Sequence, residues 1–296
     1  MVRSPTMIFL LASAVVLGGA MLVAACSPLA VINASVPSTT YRVEKDIAFG
    51  PNARDRLDVY RPAAANGPTP VVIFFYGGNW ASGERTDYLF VGEALASKGF
   101  VTVIPDYRLY PEVRFPEFLN DSARAVKWAL DHAAEIGGDP AKVFLMGHSA
   151  GAYNAAMLAL NPEYLRAAGV DVGRIRGLIG LAGPYDFRPF RDEITRNVFG
   201  SVGETNETQP IHYASPAAPP TLLITGDADT VVSPGNSVRL SARLREQGVS
   251  VQEIVYPGAG HRKLVGALAA HLRGLVPVRD DVAAFITATS RSERLR

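Results

Sequence analysis

Residues 143–160 read Val143-Phe144-Leu145-Met146-Gly147-His148-Ser149-Ala150-Gly151-Ala152-Tyr153-Asn154-Ala155-Ala156-Met157-Leu158-Ala159-Leu160. Four apolar residues lead into Gly-His-Ser-Ala-Gly, and a run of helix formers leaves it. A G-x-S-x-G between a buried strand and a helix predicts a nucleophile elbow, a turn too tight for side chains at its flanking glycines. Such a turn lifts the Ser149 hydroxyl clear of the sheet. It also aims the next backbone N–H groups, at a helix N-terminus, toward developing negative charge. Glycine and serine are common, and the pentapeptide alone reads as an ordinary Ser-Gly turn. The strand before it and the helix after it single out Ser149 as a candidate nucleophile. A serine hydroxyl is weak at neutral pH, so the chain must also supply a base, an acid that orients it, and a further oxyanion donor.

Outward from the elbow, apolar runs alternate with helical stretches. Val71-Val72-Ile73-Phe74-Phe75 is continuously apolar and Phe100-Val101-Thr102-Val103-Ile104 nearly so, as strands covered on both faces should be. Earlier strands are expected at 41–48 and 56–60, later ones at 175–181, 221–225 and 250–255. Helices are expected near 87–98, 117–136 and 236–247, with a final helical region over 264–289. This rhythm predicts an α/β protein with a mostly parallel central sheet and helices on both faces. Residues 187–217, of mixed charge and no strong period, are expected to form a small lid or a long surface loop.

The remaining parts of a serine site have candidates in the right order. Gly226-Asp227-Ala228-Asp229 ends the 221–225 strand, at the carboxyl edge of the sheet where open α/β sheets place their sites. Asp227 and Asp229 both qualify as the acid, and either can equally be a turn or helix cap. The D-x-D pair also invites a metal, but no clustered histidine or further carboxylate supports one. Of the five histidines, His261 alone combines a glycine-rich loop, a strand end and a place after the acid. His132 and His271 fall in helical stretches, His148 is the variable residue of the elbow, and His212 lies in the 187–217 segment. The order Ser, Asp, His is the one this elbow requires. Paired glycines in Phe75-Tyr76-Gly77-Gly78-Asn79-Trp80, directly after a buried strand, can turn backbone N–H groups into a pocket.

Composition narrows the class. In 296 residues, 48% are hydrophobic and 19% charged, which describes a globular chain able to bury a large core. Lys+Arg number 29 against 28 Asp+Glu, a formal charge of +1 without a basic arm, so nucleic acid is not an expected partner. Arg3 precedes an almost wholly apolar stretch, Met7–Ala25, which ends Val23-Ala24-Ala25-Cys26. A charged start, an apolar run and small residues form an export signal. The ending resembles the bacterial lipobox, which implies cleavage before Cys26 and attachment of a lipid to it. The chain is then a membrane-anchored lipoprotein facing the periplasm or the cell exterior. A retained signal anchor and simple cleavage near Ala25 are the alternatives. The expected organisation is a signal peptide over 1–26, a flexible tether over 27–40 and one domain over 41–296.

Taken together, these motifs resemble the α/β-hydrolase superfamily, and within it the carboxylesterase branch of hormone-sensitive-lipase-like and feruloyl-esterase-like enzymes. Tyr76-Gly77-Gly78-Asn79-Trp80 stands where that branch has His-Gly-Gly-Gly-Trp. Pro105-Asp106-Tyr107-Arg108-Leu109, then Phe115-Pro116 and Asp121, is similar to its D-Y-R-L…F-P…D segment. Its G-x-x-D falls on Gly226–Asp229, which selects Asp229 over Asp227 as the acid. The resemblance covers roughly residues 45–290. It implies a triad of Ser149, Asp229 and His261, and oxyanion donors at the amides of Gly78, Asn79 and Ala150. The implied activity is hydrolysis of small-molecule carboxylic esters, of short acyl chain, with no metal or organic cofactor. Two departures stand out: Tyr76 replaces a histidine that braces the oxyanion loop, and Asn79 replaces a glycine. An arylformamidase-like hydrolase and a catalytically silent binding protein are the competing readings.

Overall fold

In the computed structural model, which describes residues 28–292, the strands are β1 (Tyr41–Ala48), β2 (Arg56–Pro62), β3 (Thr69–Phe75), β4 (Val101–Pro105), β5 (Gly138–His148), β6 (Ile175–Leu181), β7 (Thr221–Gly226) and β8 (Val251–Tyr256). They form one 8-stranded sheet in the order β1-β2-β4-β3-β5-β6-β7-β8. Strands β3 to β8 run parallel, while β1 and β2 pair antiparallel with each other and β2 with β4. The helices are α1 (Pro28–Ala34), α2 (Leu89–Ala96), α3 (Glu117–Asp131), α4 (Ala150–Leu160), α5 (Pro162–Ala167), α6 (Glu193–Phe199), α7 (Gly235–Glu246), α8 (His261–Gly266) and α9 (Val278–Arg291). Packed helices cover the sheet, α2 with α9 and α3 with α4. Val71 to Phe75 and Val143 to Met146 are fully buried in consequence, which is why these strands are apolar at every position and not only at alternate ones. The fold class expected from the sequence is the one observed.

Two segments differ from expectation, and a third takes on detail. The final helical region is interrupted: α8 and α9 are separated by a short 3-10 turn and by Gly274 and Pro277, and His261 opens α8 instead of lying in a loop. In the stretch expected as a flexible tether, α1 is docked. Asn33 donates to the carbonyls of Thr86 and Asp87, at 3.0 Å each, and accepts from Phe90 N, while Leu29, Ile32 and Val36 pack on the core. Residues 187–217 contain α6 and two 3-10 turns, and they are tied down by aromatic packing. The proposed lipid-bearing Cys26 lies outside the described residues. Among those residues, no helix is long and apolar enough to cross a membrane.

Candidate active site

The elbow forms where β5 turns into α4. Ser149 has φ 56° and ψ −124°, a left-handed backbone that costs a non-glycine residue of the order of 1–3 kcal/mol. The turn is closed so tightly that a Cβ on Gly147 would stand 2.2 Å from the Gly151 carbonyl oxygen. One on Gly151 would stand 2.0 Å from that of Phe75. No side chain fits at either place. Ser149 N is held by Leu181 O at 2.9 Å, and its carbonyl starts the helix by accepting from Ala152 N.

The candidate acid and the candidate base meet across two neighbouring loops. Asp229 follows β7 and His261 follows β8, and His261 Nδ1 lies 2.8 Å from Asp229 Oδ2. The other carboxylate oxygen accepts from the amides of Val231 and Val232 at 2.8 and 2.9 Å. Burial alone raises the Asp229 carboxyl, but the bonds from His261 and from these amides outweigh it and hold the group below the ordinary carboxylate range. An ionised Asp229 can only accept, so Nδ1 carries a proton, and in the neutral imidazole Nε2 is the nitrogen with the free lone pair. Asp227 behaves differently: it accepts from Gly258 N at 2.6 Å and is exposed. The D-x-D aspartates therefore do not converge on one point.

The loop after β3 carries the amides of Gly78 and Asn79, and the elbow carries that of Ala150. Among the described residues, none of these three N–H groups has an acceptor. Asn79 and Trp80 are both left-handed, at φ 53° and 56°. Asparagine tolerates that conformation well, which is how it can replace glycine here. The loop is pinned at both ends. Trp80 Nε1 donates to Asn154 Oδ1 of α4 at 3.0 Å, and its carbonyl accepts from Tyr110 N. At the other end Tyr76, buried and stacked on Tyr107, donates its hydroxyl to Asp106 and accepts from Arg54, both at 2.8 Å. Asp106 is also bound by Arg85 N and Nη1, and Arg54 also donates to the carbonyls of Tyr107 and Gly83. Where the resemblance implies a histidine, this loop is held by an Arg54–Tyr76–Asp106–Arg85 network in which Tyr76 and Asp106 are buried and the two arginines partly exposed. Arg54, Arg85 and Asn154 carry no local sequence signal for this, because their partners are 21 or more positions away. Asp106 falls in a segment quoted for the resemblance, and its role is to hold Tyr76.

Ser149, Ala150, Asn79 and Asp229 line one cavity of about 780 Å³. Its far wall is polar, with Asp186, Arg188, Arg191 and Arg239. Trp80 closes the near side and is backed by an aromatic cluster: Tyr153 and Phe199 meet its ring edge-on at centroid distances of 5.1 and 4.9 Å, and Phe187 stacks at 6.3 Å. Phe187, Arg191 and Thr195 belong to the 187–217 segment, which therefore roofs part of the site. Asn236 fixes the start of that roof by accepting from Tyr185 N and Asp186 N.

A family model described as BD-FAE matches residues 57–244. Among curated proteins, the chain is 28% identical over 244 residues to the isoprenylcysteine alpha-carbonyl methylesterase ICME of Arabidopsis thaliana, covering 75% of this chain and 57% of that one. It is 30% identical over 244 residues to esterase LipC of Mycobacterium tuberculosis (strain ATCC 25618 / H37Rv), covering 75% and 60%. The chain thus spans little more than half the length of the curated relatives it matches. Among solved structures, an inhibited esterase B from Lactobacillus rhamnosis superposes with a TM-score of 0.77 at 20% identity, covering 94% of this chain and 96% of that one. A truncated carbohydrate esterase from gut microbiota gives 0.76 at 19% identity, covering 86% and 99%. At such identities the likeness establishes the α/β-hydrolase fold.

Proposed function

Because the chain belongs to the BD-FAE family, on an α/β-hydrolase fold, we propose that it is a serine carboxylesterase acting on small-molecule esters. Ser149 attacks the ester carbonyl while His261 Nε2 takes its proton. The carbon–oxygen bond to the alcohol then breaks, and His261 returns the proton to the departing alkoxide. Water hydrolyses the acyl-enzyme by the same route and releases the acid. Asp229 keeps the imidazole in the needed tautomer and stabilises its charge. The amides of Gly78, Asn79 and Ala150 receive the oxyanion, where one such donor contributes on the order of 10²–10³ in rate. The observation that carries the reading is the Asp229–His261 contact of 2.8 Å beside a strained serine elbow, with the amides of Gly78, Asn79 and Ala150 left without an acceptor among the described residues.

The substrate side favours short acyl groups. Aromatic rings pack behind Trp80, and the charged side chains of Asp186, Arg188, Arg191 and Arg239 are among those lining the cavity. Added methylenes would stay in water and forfeit the ~0.8 kcal/mol each gains when buried. Catalytic efficiency across p-nitrophenyl esters should peak between acetyl and butyryl. A maximum at decanoyl or longer would overturn this reading. In the same assay Ser149→Ala should lose activity by as much as about 10⁶-fold. Retention of a tenth would remove Ser149 as nucleophile, and faster turnover of a formamide panel would favour the amidase reading.

The enzyme is further proposed to be exported and held at a membrane by a lipid on Cys26, on the strength of the Met7–Ala25 run and the Val23-Ala24-Ala25-Cys26 ending. Since α1 begins at Pro28 and is docked, the anchor would hold the domain close to the lipid surface. Mass spectrometry of the mature N-terminus should find a lipidated Cys26; an unmodified terminus at another residue refutes it.

A further inference from the structure

His148, the variable residue of the elbow, does not point away from the site. Its ring lies against that of His261, with centroids 4.7 Å apart and planes inclined at 43°. Its Nε2 is 3.2 Å from the backbone carbonyl of His261. A carbonyl only accepts, so Nε2 carries the proton and Nδ1 is left with a bare lone pair. That Nδ1 is buried and has no donor among the described residues. It faces the oxyanion loop, where a Cβ on Gly77 would come within 3.2 Å of it and within 2.9 Å of Ser149 Cβ. One side chain thus touches the base's main chain and ring and abuts the loop that bears the oxyanion donors.

A residue selected for stability alone would not be this one. An unpaired buried acceptor costs roughly 1–3 kcal/mol, and an apolar ring of similar shape would avoid it. What an apolar ring cannot do is donate to the carbonyl of His261. We infer that His148 is a positioning residue: its Nε2–H clamps the His261 main chain, and its uncharged ring supports the imidazole face without adding a second charge beside it. The inference rests on His261 being the base. The titratable groups acting on His148 are His261 and Asp229, on the loops after β8 and β7, and burial together with the neighbouring His261 drives its imidazole down to about 3. His148 is therefore neutral throughout the working range of an esterase, including while His261 is transiently protonated.

Two measurements separate this inference from the esterase reading. Nitrogen-15 NMR of the native chain, read without any substrate, should show His148 as the Nε2–H tautomer with no titration between pH 5 and 8. An Nδ1–H form, or a midpoint within that range, overturns the clamp whether or not the protein hydrolyses esters. With p-nitrophenyl acetate, His148→Phe keeps a ring but loses the donor. It should lower kcat by about 10–100-fold with KM nearly unchanged, since a displacement of about 1 Å at the base carries that magnitude. His148→Gln restores a donor and should recover part of the loss. His148→Asp, which puts an anion beside the base, should move the acid limb of kcat/KM upward by about one pH unit. A folded His148→Phe with native kcat, or an unmoved acid limb in His148→Asp, refutes the positioning role.

Discussion

Replacing Tyr76 by phenylalanine tests whether the oxyanion loop is braced through its hydroxyl. The change removes one oxygen that joins Arg54 to Asp106 by two bonds of 2.8 Å and leaves the stack on Tyr107 and Tyr88 in place. Hydrogen bonds to charged groups contribute about 1.5–3 kcal/mol each. The two losses should not add in full, because Asp106 retains both contacts with Arg85, and Arg54 retains the carbonyls of Tyr107 and Gly83. A destabilisation of about 2–3 kcal/mol is therefore expected, read as a lower urea midpoint at constant slope. Gly77 and Gly78 follow Tyr76 directly, so the donors they position should drift as the ring loses its anchor. Since such donors act on the transition state, kcat should fall about 10–100-fold while KM stays within about twofold. If stability drops as described but kcat is untouched, the network is scaffold only. If stability does not change, the bonds have no net value and the bracing argument fails.

Further outcomes follow from the same contacts. Asp229→Asn should cost roughly 10⁴ in turnover, because an amide can present its NH₂ to His261 Nδ1 and stabilise the wrong tautomer. Asp227→Asn, which disturbs only an exposed bond to Gly258 N, should leave turnover within about threefold; the opposite ranking would reassign the acid. The neutral burial of His148 also sets a pH dependence of stability. Above the unfolded value near 6.5 neither state binds the proton. As pH falls, the unfolded chain takes it up and the folded chain refuses it until about pH 3, so native stability should decline by roughly 3 kcal/mol on going to pH 4. Urea denaturation at pH 7 and pH 4 should show this decline in the native protein and a clearly smaller one in His148→Phe, and equal declines would contradict it.

What the sequence made legible was whatever has a short-range signature. Val71–Phe75 and Val143–Met146 are apolar at every position because helices cover both sides of the sheet, and that pattern can be read without knowing which helices they are. Gly147 and Gly151 announce the elbow because backbone atoms stand about 2 Å from where their Cβ atoms would be. Asp229 and His261 could be proposed together because a parallel sheet delivers the end of each strand to one edge. Choosing Asp229 over Asp227 needed the family motif, since what separates them, burial and a partner across the loop (His261 for one, Gly258 N for the other), has no local sequence signature.

What stayed illegible depends on partners far apart in the chain. Nothing around Arg54 indicates that its guanidinium meets Tyr76, and nothing around Asn154 indicates that it holds the indole of Trp80 across 74 positions. The D-Y-R-L…D segment shows the same limit. Arg108 grips Asp121 through Nε and Nη2, at 2.9 and 2.8 Å, and Arg124 binds the same carboxylate and Asp55. Two buried carboxylates and two partly exposed guanidinium groups form this ion network, visible in sequence only as a motif without a purpose. Residues 27–40, rich in Ser, Pro, Ala and Thr, misled in the other direction. Their composition is that of a linker, yet one side chain, Asn33, satisfies two backbone carbonyls and one amide near the start of α2, and three apolar neighbours then pack down. Composition measures how much apolar surface a segment can bury. It does not register that a single amide side chain can complete the hydrogen bonds of a helix start, and here that is the contact that docks the expected spacer against the 85–88 turn and α2.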